Sequence, residues 1–233
     1  MNVRMLAVAL VLHIASLATP AAGQVGHPPR QSPYADLDYR QEATLFLGYY
    51  DAGQDAAGVA PQSGPMLGVR YELRLAGPAL LTSKMSYVSS QRDVIDPRRP
   101  ASQRVVENDA SWPLYMVDVG IAVNLTGQRS FHRLVPFANG AIGVATDFKS
   151  ADVGAWRFGT PFAISLGGGL KWVPSGNLQT RIDVGTQFYQ IKYPSSYYNT
   201  ASDGTSVLQP NESTSDWTTN FSVSIGVSYL FFR

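Results

Sequence analysis

The sequence predicts an all-β fold, namely an eight-stranded antiparallel up-and-down transmembrane β-barrel. Apolar side chains recur with a period of two residues in eight segments, whereas an amphipathic helix would show a period near 3.6. The connections between these segments alternate between short and long. The charged residues within the segments keep to the face opposite the apolar one. Together these features are typical of a barrel whose apolar wall faces lipid and whose polar side chains fill the interior.

Residues 1–23 predict a cleavable secretory signal peptide. Arg4 supplies a basic start, an apolar run covers about residues 5–18, and Ala21 and Gly23 are small residues at positions that suit cleavage. A membrane anchor is the alternative, but this run is shorter than the roughly 20 residues that a spanning helix needs. We therefore expect the chain to be exported.

The rest of the chain predicts an extended leader, residues 24–41, followed by one barrel domain, residues 42–233. The leader contains Pro28, Pro29 and Pro33 and shows no periodicity. The chain has no cysteine, so disulfides cannot stabilise it. Its 18 basic and 17 acidic residues are scattered and leave a net charge of +1, without the basic stripe of a nucleic-acid binder. We expect no nucleic-acid partner.

Clusters of Gly, Pro, Asn and Asp divide the domain into eight segments. The predicted strands cover residues 42–50, 64–75, 78–89, 113–125, 134–146, 158–173, 177–192 and 218–232. The clearest alternation lies in the last of them, where Phe221, Val223 and Ile225 share one face while Ser222 and Ser224 lie on the other. The fifth segment alternates least, because small residues blur its pattern.

The lengths of the connections are the second observation. The long connections are residues 51–63, 90–112, 147–157 and 193–217, and the short ones are 76–77 and 174–176. Short turns on one side and long loops on the other are typical of bacterial outer-membrane barrels, and eight strands place both chain termini on the turn side. The connection at 126–133 lies on the turn side but is longer than this pattern requires, and nothing in the sequence explains its length.

Charged residues are the third observation. When faces are assigned by apolarity, the opposite faces hold Arg70, Glu72, Arg74, Lys84, Asp118, Lys171, Arg181 and Asp183. A Lys or Arg that faces lipid near the midplane costs about 2–4 kcal/mol. Eight outward charges would exceed the stability of an ordinary domain, which is about 5–15 kcal/mol. These side chains must therefore point inward.

Aromatic residues near the predicted strand ends indicate two interfacial girdles. The loop-side girdle is predicted to contain Tyr49, Tyr50, Tyr87, Trp112, Tyr115, Trp156, Phe158, Tyr189, Tyr193 and Trp217. The turn-side girdle is predicted to contain Phe137, Trp172, Tyr229 and Phe231.

With its signal peptide, eight alternating segments and closing sequence V-S-I-G-V-S-Y-L-F-F, the mature chain resembles the small outer-membrane β-barrels of the OmpA and OmpX type. The resemblance implies export to the periplasm of a Gram-negative-type cell, where periplasmic chaperones are partners, and insertion into outer-membrane lipid. It also implies a barrel assembly machinery that reads an aromatic last strand. Val227, Tyr229, Phe231 and Phe232 match that C-terminal signal, and Arg233 follows them.

The resemblance also implies a solid interior, since eight strands enclose about enough room for side chains. An internal ion network would then contain Arg70, Glu72, Arg74, Lys84, Asp118, Arg181 and Asp183. We expect Glu72 to be a central acceptor, because Arg70 and Arg74 lie two positions to either side of it. Bases outnumber acids, so some bases must contact carbonyl groups or water. Lys171, near a turn, is expected to reach water.

Residues suited to catalysis are sparse. Outside the signal peptide only His27 and His132 could act as a histidine base, and neither lies at a loop-side strand end. The three glycines at 167–169 lie in an apolar strand and lack the Lys and Ser or Thr of a phosphate loop, which indicates close packing of the wall. We expect no catalytic site, no cofactor and no metal.

The long loops are where binding could occur. Arg98 and Arg99 lie in a loop of balanced charge, which predicts a solvated surface; contact with the anionic sugar-phosphate of the surrounding lipid is the alternative. The last loop is rich in Ser, Thr, Asn and Tyr, which suits mobility or adaptable contact with a surface ligand.

These features predict a non-enzymatic outer-membrane barrel with a structural or surface-interaction role, a plugged polar interior and four extracellular loops. One alternative is a narrow channel or small-ligand conduit across the outer membrane. Another is a soluble periplasmic barrel with an apolar pocket, whose apolar faces would point inward.

Overall fold

The computed structural model describes residues 32–174 and 176–231. Within them, eight long antiparallel strands form the wall of a barrel. They are β1 (Gln41–Asp51), β2 (Gly64–Ala76), β3 (Ala79–Val88), β4 (Leu114–Asn124), β5 (Leu134–Thr146), β6 (Phe162–Trp172), β7 (Leu178–Lys192) and β8 (Ser215–Phe231). Each strand pairs with its neighbours along the chain, and β8 also pairs with β1, so the sheet closes on itself. The predicted fold class is confirmed. The predicted signal peptide lies outside the described residues.

Most predicted strand ends differ from the observed ones by no more than one residue. The two exceptions are the starts of β6, which lies at Phe162 rather than at residue 158, and of β8, which lies at Ser215 rather than at residue 218. Residues 158–161 leave the wall because Gly159 adopts a positive φ of 72° and Pro161 has no N–H for the ladder. Phe158 is thereby free to point into the barrel.

The wall carries its large apolar side chains on the outside. Leu45 is 66% exposed, Val227 54% and Ile225 52%, and the corresponding faces of the other strands follow the same rule. The alternate positions point inward, so that Ser222, Ser224 and Ser228 of β8 are buried. The predicted faces are therefore confirmed: the barrel is apolar outside and polar inside.

The glycine run at 167–169 belongs to the wall of β6. A Cβ added at Gly169 would lie 1.9 Å from the carbonyl oxygen of Ile182 on β7 and 3.0 Å from the Phe137 ring inside the barrel. Only glycine permits this approach. The run therefore serves close packing, as predicted.

The long turn at 126–133 pairs with the N-terminal segment. Its residues Arg129–Phe131 form an antiparallel pair with a leader strand, Tyr34–Asp36. After this strand the chain enters the turn-side end of the barrel, where Leu37 and Tyr39 are buried against Val135 and Leu230. The extra length of the turn thus provides the strand that anchors the leader.

The four loops lie over the opposite end of the barrel. They are loop 1 (residues 52–63), loop 2 (89–113), loop 3 (147–161) and loop 4 (193–214). Loop 2 contains a hairpin, Gln91–Ile95 with Val105–Ser111, and two short 3-10 helices lie at Ala101–Gln103 and Ser195–Tyr198. In the described part of the chain, no helix is long and apolar enough to cross a membrane.

Hydrogen bonds join these loops to one another. The Tyr193 hydroxyl of loop 4 donates to Asp55 of loop 1 (3.1 Å), and Arg104 Nη1 of loop 2 donates to the Ser206 carbonyl of loop 4 (2.9 Å). Ser196 Oγ of loop 4 donates to the Gly154 carbonyl of loop 3 at 3.0 Å. The loops therefore form one cap.

Candidate functional site

The turn-side half of the barrel is crossed by a cluster of buried charges, which we call the ionic layer. It consists of Glu42 on β1, Arg70 and Glu72 on β2, Lys171 on β6, and Arg181 and Asp183 on β7. All six project from inward-facing positions of their strands, and the layer joins β1 and β2 to β6 and β7 across the lumen. The strand parity that keeps the outer wall apolar also places these charges inside.

Arg181 lies at the centre of the ionic layer. Its Nη1 atom is 3.1 Å from Glu42 Oε1 and 3.0 Å from Glu72 Oε1, and its Nε atom is 2.9 Å from Asp183 Oδ2. Arg70 Nη1 contacts Asp183 Oδ1 and extends the layer along β2. One guanidinium therefore holds three carboxylates, as its fork of donors allows.

Lys171 is also part of the ionic layer. Its Nζ atom lies 2.8 Å from Glu42 Oε2 and contacts Glu72 Oε2, and its side chain is fully buried. The expectation that Lys171 reaches water was wrong. Leu37 and Tyr39 of the leader pack against Val135 and Leu230 at this end of the barrel, and the two carboxylates lie within reach of the ammonium group.

Glu42 was missed by the sequence analysis. It accepts hydrogen bonds from Gln179 (2.7 Å) and Ser228 (2.8 Å) as well as from Lys171 and Arg181. Its parity matches Thr44 and opposes Leu45, so the strand pattern contained the signal. Glu42 was overlooked because it was the first residue of a predicted strand, where burial is hardest to judge.

The seven predicted network residues divide into three groups. Arg70, Glu72, Arg181 and Asp183 belong to the ionic layer. Lys84 and Asp118, opposite each other on β3 and β4, form a separate pair at 3.5 Å. Arg74 donates to the Leu37 carbonyl at 2.8 Å and lies 5.2 Å from the Tyr39 ring, away from the carboxylates.

Glu72 is a central acceptor, although not of the predicted donors. Arg70 lies 3.9 Å from it and Arg74 turns away, whereas Arg181 and Lys171 from the far wall contact it directly. With Glu42 included, the ionic layer has three cations and three carboxylates. The predicted excess of base disappears, because Arg74 satisfies a carbonyl group and Glu42 adds an acid.

Phe137 lies beside the ionic layer. The Arg181 guanidinium is 4.6 Å from its ring centroid, and Lys171 Nζ is 5.5 Å from it. The prediction that Phe137 belongs to an outer girdle was therefore wrong; its ring faces cations inside the barrel. Trp172 and Tyr229 do lie on the outside, at 48% and 52% exposure.

Between the ionic layer and the loops the lumen narrows to a cavity of about 20 Å³. Its wall includes Asn139, Ser165, Gln187, Ser222 and Ser224. This space accommodates about one water molecule.

The loop-side half of the barrel is filled by an apolar core, which we call the mouth cluster. Its members include Phe46, Tyr50, Val59, Met66, Ile95, Leu114, Met116, Trp156, Phe158, Tyr189, Ile191, Tyr193, Tyr197 and Leu208. The hydroxyl groups of Tyr50 and Tyr189 are 3.0 Å apart, and Phe158 stacks edge-on against Tyr189 at 5.5 Å. In loop 4, burial and the neighbouring Asp55 carboxylate raise the pKa of Tyr193 well above its usual value.

Arg92 of loop 2 connects the mouth cluster to the loops above it. Its guanidinium lies 3.7 Å from the Trp112 ring centroid and 4.4 Å from that of Trp156, and its Nη2 atom is 2.9 Å from Asp152 Oδ2. The Arg92 side chain is fully buried. The loop was expected to be solvated, and at Arg92 this was wrong, because two indole rings and a carboxylate replace water around the cation.

Six predicted members of the loop-side girdle are buried. They are Tyr50, Trp112, Trp156, Phe158, Tyr189 and Tyr193. Tyr50 and Tyr189 have inward parity, and the other four lie in loops that fold over the mouth. Tyr49 and Trp217 are outward, at 42% and 53% exposure.

The C-terminal residues that resemble an assembly signal lie on the outer face of β8. Val227 and Tyr229 are exposed, and the Phe231 ring stacks 6.2 Å from that of Tyr229. Phe232 lies outside the described residues. Of the two histidines considered for catalysis, His132 is exposed on the turn side and His27 lies outside the described residues.

The sequence matches no protein-family model and no curated protein. Several solved structures are similar in fold. Neisserial surface protein A (NspA) is 11% identical and has a TM-score of 0.47, with 82% of this chain and 97% of that chain covered. The outer-membrane protein OprG of Pseudomonas aeruginosa is 12% identical with a TM-score of 0.48, covering 84% and 98%. Ail, the attachment invasion locus protein of Yersinia pestis, is 14% identical with a TM-score of 0.36, covering 82% and 99%.

These similarities concern the barrel architecture alone. The closed antiparallel sheet, the order of its strands and its outward apolar faces stand on the chain's own geometry. The chain is an eight-stranded up-and-down antiparallel β-barrel with an apolar outer wall, as its sequence pattern predicted.

Proposed function

We propose that this protein is a non-enzymatic barrel of the bacterial outer membrane with a closed lumen and a structural or surface-interaction role. The observation that supports this most directly is the inversion of the barrel: its outer wall is apolar and its interior is ionic. The proposed location follows from the free-energy cost of exposing an apolar wall to water. A soluble barrel would expose the apolar wall to water, whereas lipid accepts it.

The closed lumen is supported by two successive barriers. The ionic layer joins opposite walls, and the mouth cluster fills the barrel beneath the loops. A narrow channel or small-ligand conduit would require both barriers to open. Opening the ionic layer separates charges that are buried, which costs about 3–5 kcal/mol for each broken pair. Steady conduction is therefore disfavoured.

The surface role rests on the loops. They are joined into one cap, and their exposed side chains include the charged Arg98, Arg99 and Glu107 as well as the apolar Phe148 and Val153. Loops on a rigid scaffold are the usual place for recognition. The described loop-side strand ends contain no histidine, so a histidine-based catalytic centre is not built there.

The first experiment tests the location and closure of the barrel together. The protein should fractionate with outer membranes, require detergent for extraction, and migrate faster on a gel when unheated than when boiled. Release by high salt or carbonate without detergent would contradict the proposal.

Planar-bilayer recording then tests the closed lumen. Wild-type protein should show at most rare and small openings. The matched comparison is the double variant Trp156→Ala with Arg181→Met, which weakens both barriers and should open more often. Steady conductance of the wild-type protein would favour the channel instead.

A further inference from the structure

A basic cleft lies on the outer rim of the barrel, where loop 3 meets the end of β7. It has a volume of about 430 Å³ and is lined by Arg157, Phe158, Gly159, Thr160, Pro161, Gln190 and Lys192. Both cations are exposed. Among the described residues, none that lines the cleft carries a carboxylate. We propose that this cleft binds the phosphate of an outer-leaflet lipid headgroup, and this inference rests on the proposed outer-membrane location.

The charges of these two cations are not neutralised. In the described part of the chain this is also true of the exposed Arg40, Arg98 and Arg133, but Arg157 and Lys192 line one cavity. Within residues 32–174 and 176–231, neither side chain has a hydrogen bond or an ion pair. By contrast, Arg92, Arg99 and Arg129 each contact a carboxylate. Asp216 is close to Lys192 in register, but it has the inward parity of β8 and lies on the other side of the wall. Two unpaired cations in one cleft attract an anion.

The position of the cleft identifies the kind of anion. Lys192 and Gln190 are outward residues of β7, and Gln190 pairs with Trp217 of β8. Gln190 also lies next to Phe162, the first residue of β6. The side chains of Phe162 and Trp217 are 52% and 53% exposed. Exposed aromatic residues mark the membrane interface. Lys192 stands two residues beyond this row, about 7 Å further out, at the level of headgroups.

The cleft is therefore suited to an amphipathic ligand. Arg157 and Lys192 face the phosphate, Gln190 offers an amide at the level of a sugar, and Phe162 and Trp217 contact the upper acyl region. A soluble anion would use only the two cations. The lipid uses the cations and the aromatic row together, so we assign the cleft to the lipid.

Native mass spectrometry of the detergent-folded barrel tests this assignment. Purified phosphorylated outer-membrane glycolipid is added to the wild type and to the double variant Arg157→Gln with Lys192→Gln. Each cation near an anionic lipid surface contributes about fivefold in affinity, so the double variant should bind about 25-fold more weakly. High salt should weaken binding to the wild type.

The matched control is Arg129→Gln with Arg133→Gln, which removes two exposed cations at the turn-side end of the barrel and should leave affinity unchanged. Glycolipid stripped of its phosphates should bind weakly to the wild type. Equal loss in the control, unchanged binding in the cleft variant, or full binding of the stripped lipid would each overturn the proposal. Inorganic phosphate is then added to the complex of the wild type and the lipid. If millimolar phosphate displaces the bound lipid, the cleft is assigned to a soluble anion.

Failure of this inference can be separated from failure of the proposed function. The same samples are checked for heat-modifiable gel mobility and for their need of detergent. A barrel that passes both checks but does not bind the phosphorylated lipid contradicts the cleft assignment alone.

Discussion

The barrel contains two buried regions that are stabilised in opposite ways. The ionic layer is built from strand residues alone and depends on Coulomb attraction and charge-assisted hydrogen bonds. The mouth cluster combines strand residues with loop residues and depends mainly on apolar burial. The hydrogen-bond ladder of the strands closes the wall. We expect the ionic layer to add to the stability of the closed barrel, and the mouth cluster to hold the loops over its end.

This comparison predicts different consequences when each region is disrupted. Damage to the ionic layer should lower the stability of the whole barrel. Damage to the mouth cluster should release the loops and leave the wall folded, since loops belong to the less stable parts of a structure.

The largest effect is expected for Arg181→Met. Glu42, Glu72 and Asp183 would each lose a partner and remain buried. We expect the free energy of unfolding to fall by about 3–5 kcal/mol. The free energy of unfolding is measured by urea titration in lipid vesicles, with gel mobility as the readout of the folded fraction. The exposed Arg98→Met change is the control and should stay within about 0.5 kcal/mol; an equal loss in both variants would contradict the central role of Arg181.

A double-mutant cycle at Lys171 and Glu42 sharpens the comparison. Each single change, Lys171→Met or Glu42→Gln, leaves the other residue of the pair buried without this ion pair. The double change removes both charges, so its cost should be smaller than the sum of the two by about 1–3 kcal/mol. The control cycle pairs Glu42→Gln with Lys84→Met, whose charge contacts Asp118 instead. Additive costs in the Lys171 cycle would show that the pair is not coupled.

The two regions also differ in how far the sequence predicts them. Strand parity is a local property, so Arg70, Glu72, Arg181 and Asp183 could be placed inside from the alternation of their own strands. Their partners could not be placed. Arg181 reaches Glu72 only because the barrel brings β7 opposite β2, and that distance depends on closure and stagger of the sheet.

Most of the aromatic members of the mouth cluster were predicted to lie in an outer girdle. That prediction used their aromatic character and not the parity of their positions along the strands. Tyr50 and Tyr189 fall on the inward sides of β1 and β7, which the sequence already contained. Trp156 and Tyr193 lie in loops, where no period indicates direction. The pairing of the leader with residues 129–131 was also beyond prediction, because a three-residue strand has no pattern of its own.

A smaller effect, confined to the loops, is expected for Arg92→Met. The change removes the contacts with Trp112 and Trp156 and leaves Asp152 without its cation. A desolvated cation–π contact contributes about 2 kcal/mol, so loop opening should become about 30-fold more frequent. Limited proteolysis of the folded barrel should quicken by that factor while the heat-modifiable mobility is unchanged. The neighbouring exposed Arg99→Met change should do neither, and global unfolding of the Arg92 variant would contradict the division into two regions.

The smallest effect is expected at a hydrogen-bonded contact between loops 2 and 4, which should be lost at low pH. The Ala101 amide donates to Asp203 Oδ2 at 2.7 Å, and the Thr205 hydroxyl and amide donate to Oδ1, which together lower the pKa of Asp203 to about 2. Since the folded pKa lies below the unfolded value of about 3.9, the contact is fully present above pH 4 and is lost as the pH falls towards 2. Hydrogen exchange at the Ala101 amide, corrected for intrinsic pH dependence, should lose protection over that range. In the Asp203→Asn variant the step should vanish. A step that persists there would assign the titration to another group and would contradict the role of Asp203 in this contact.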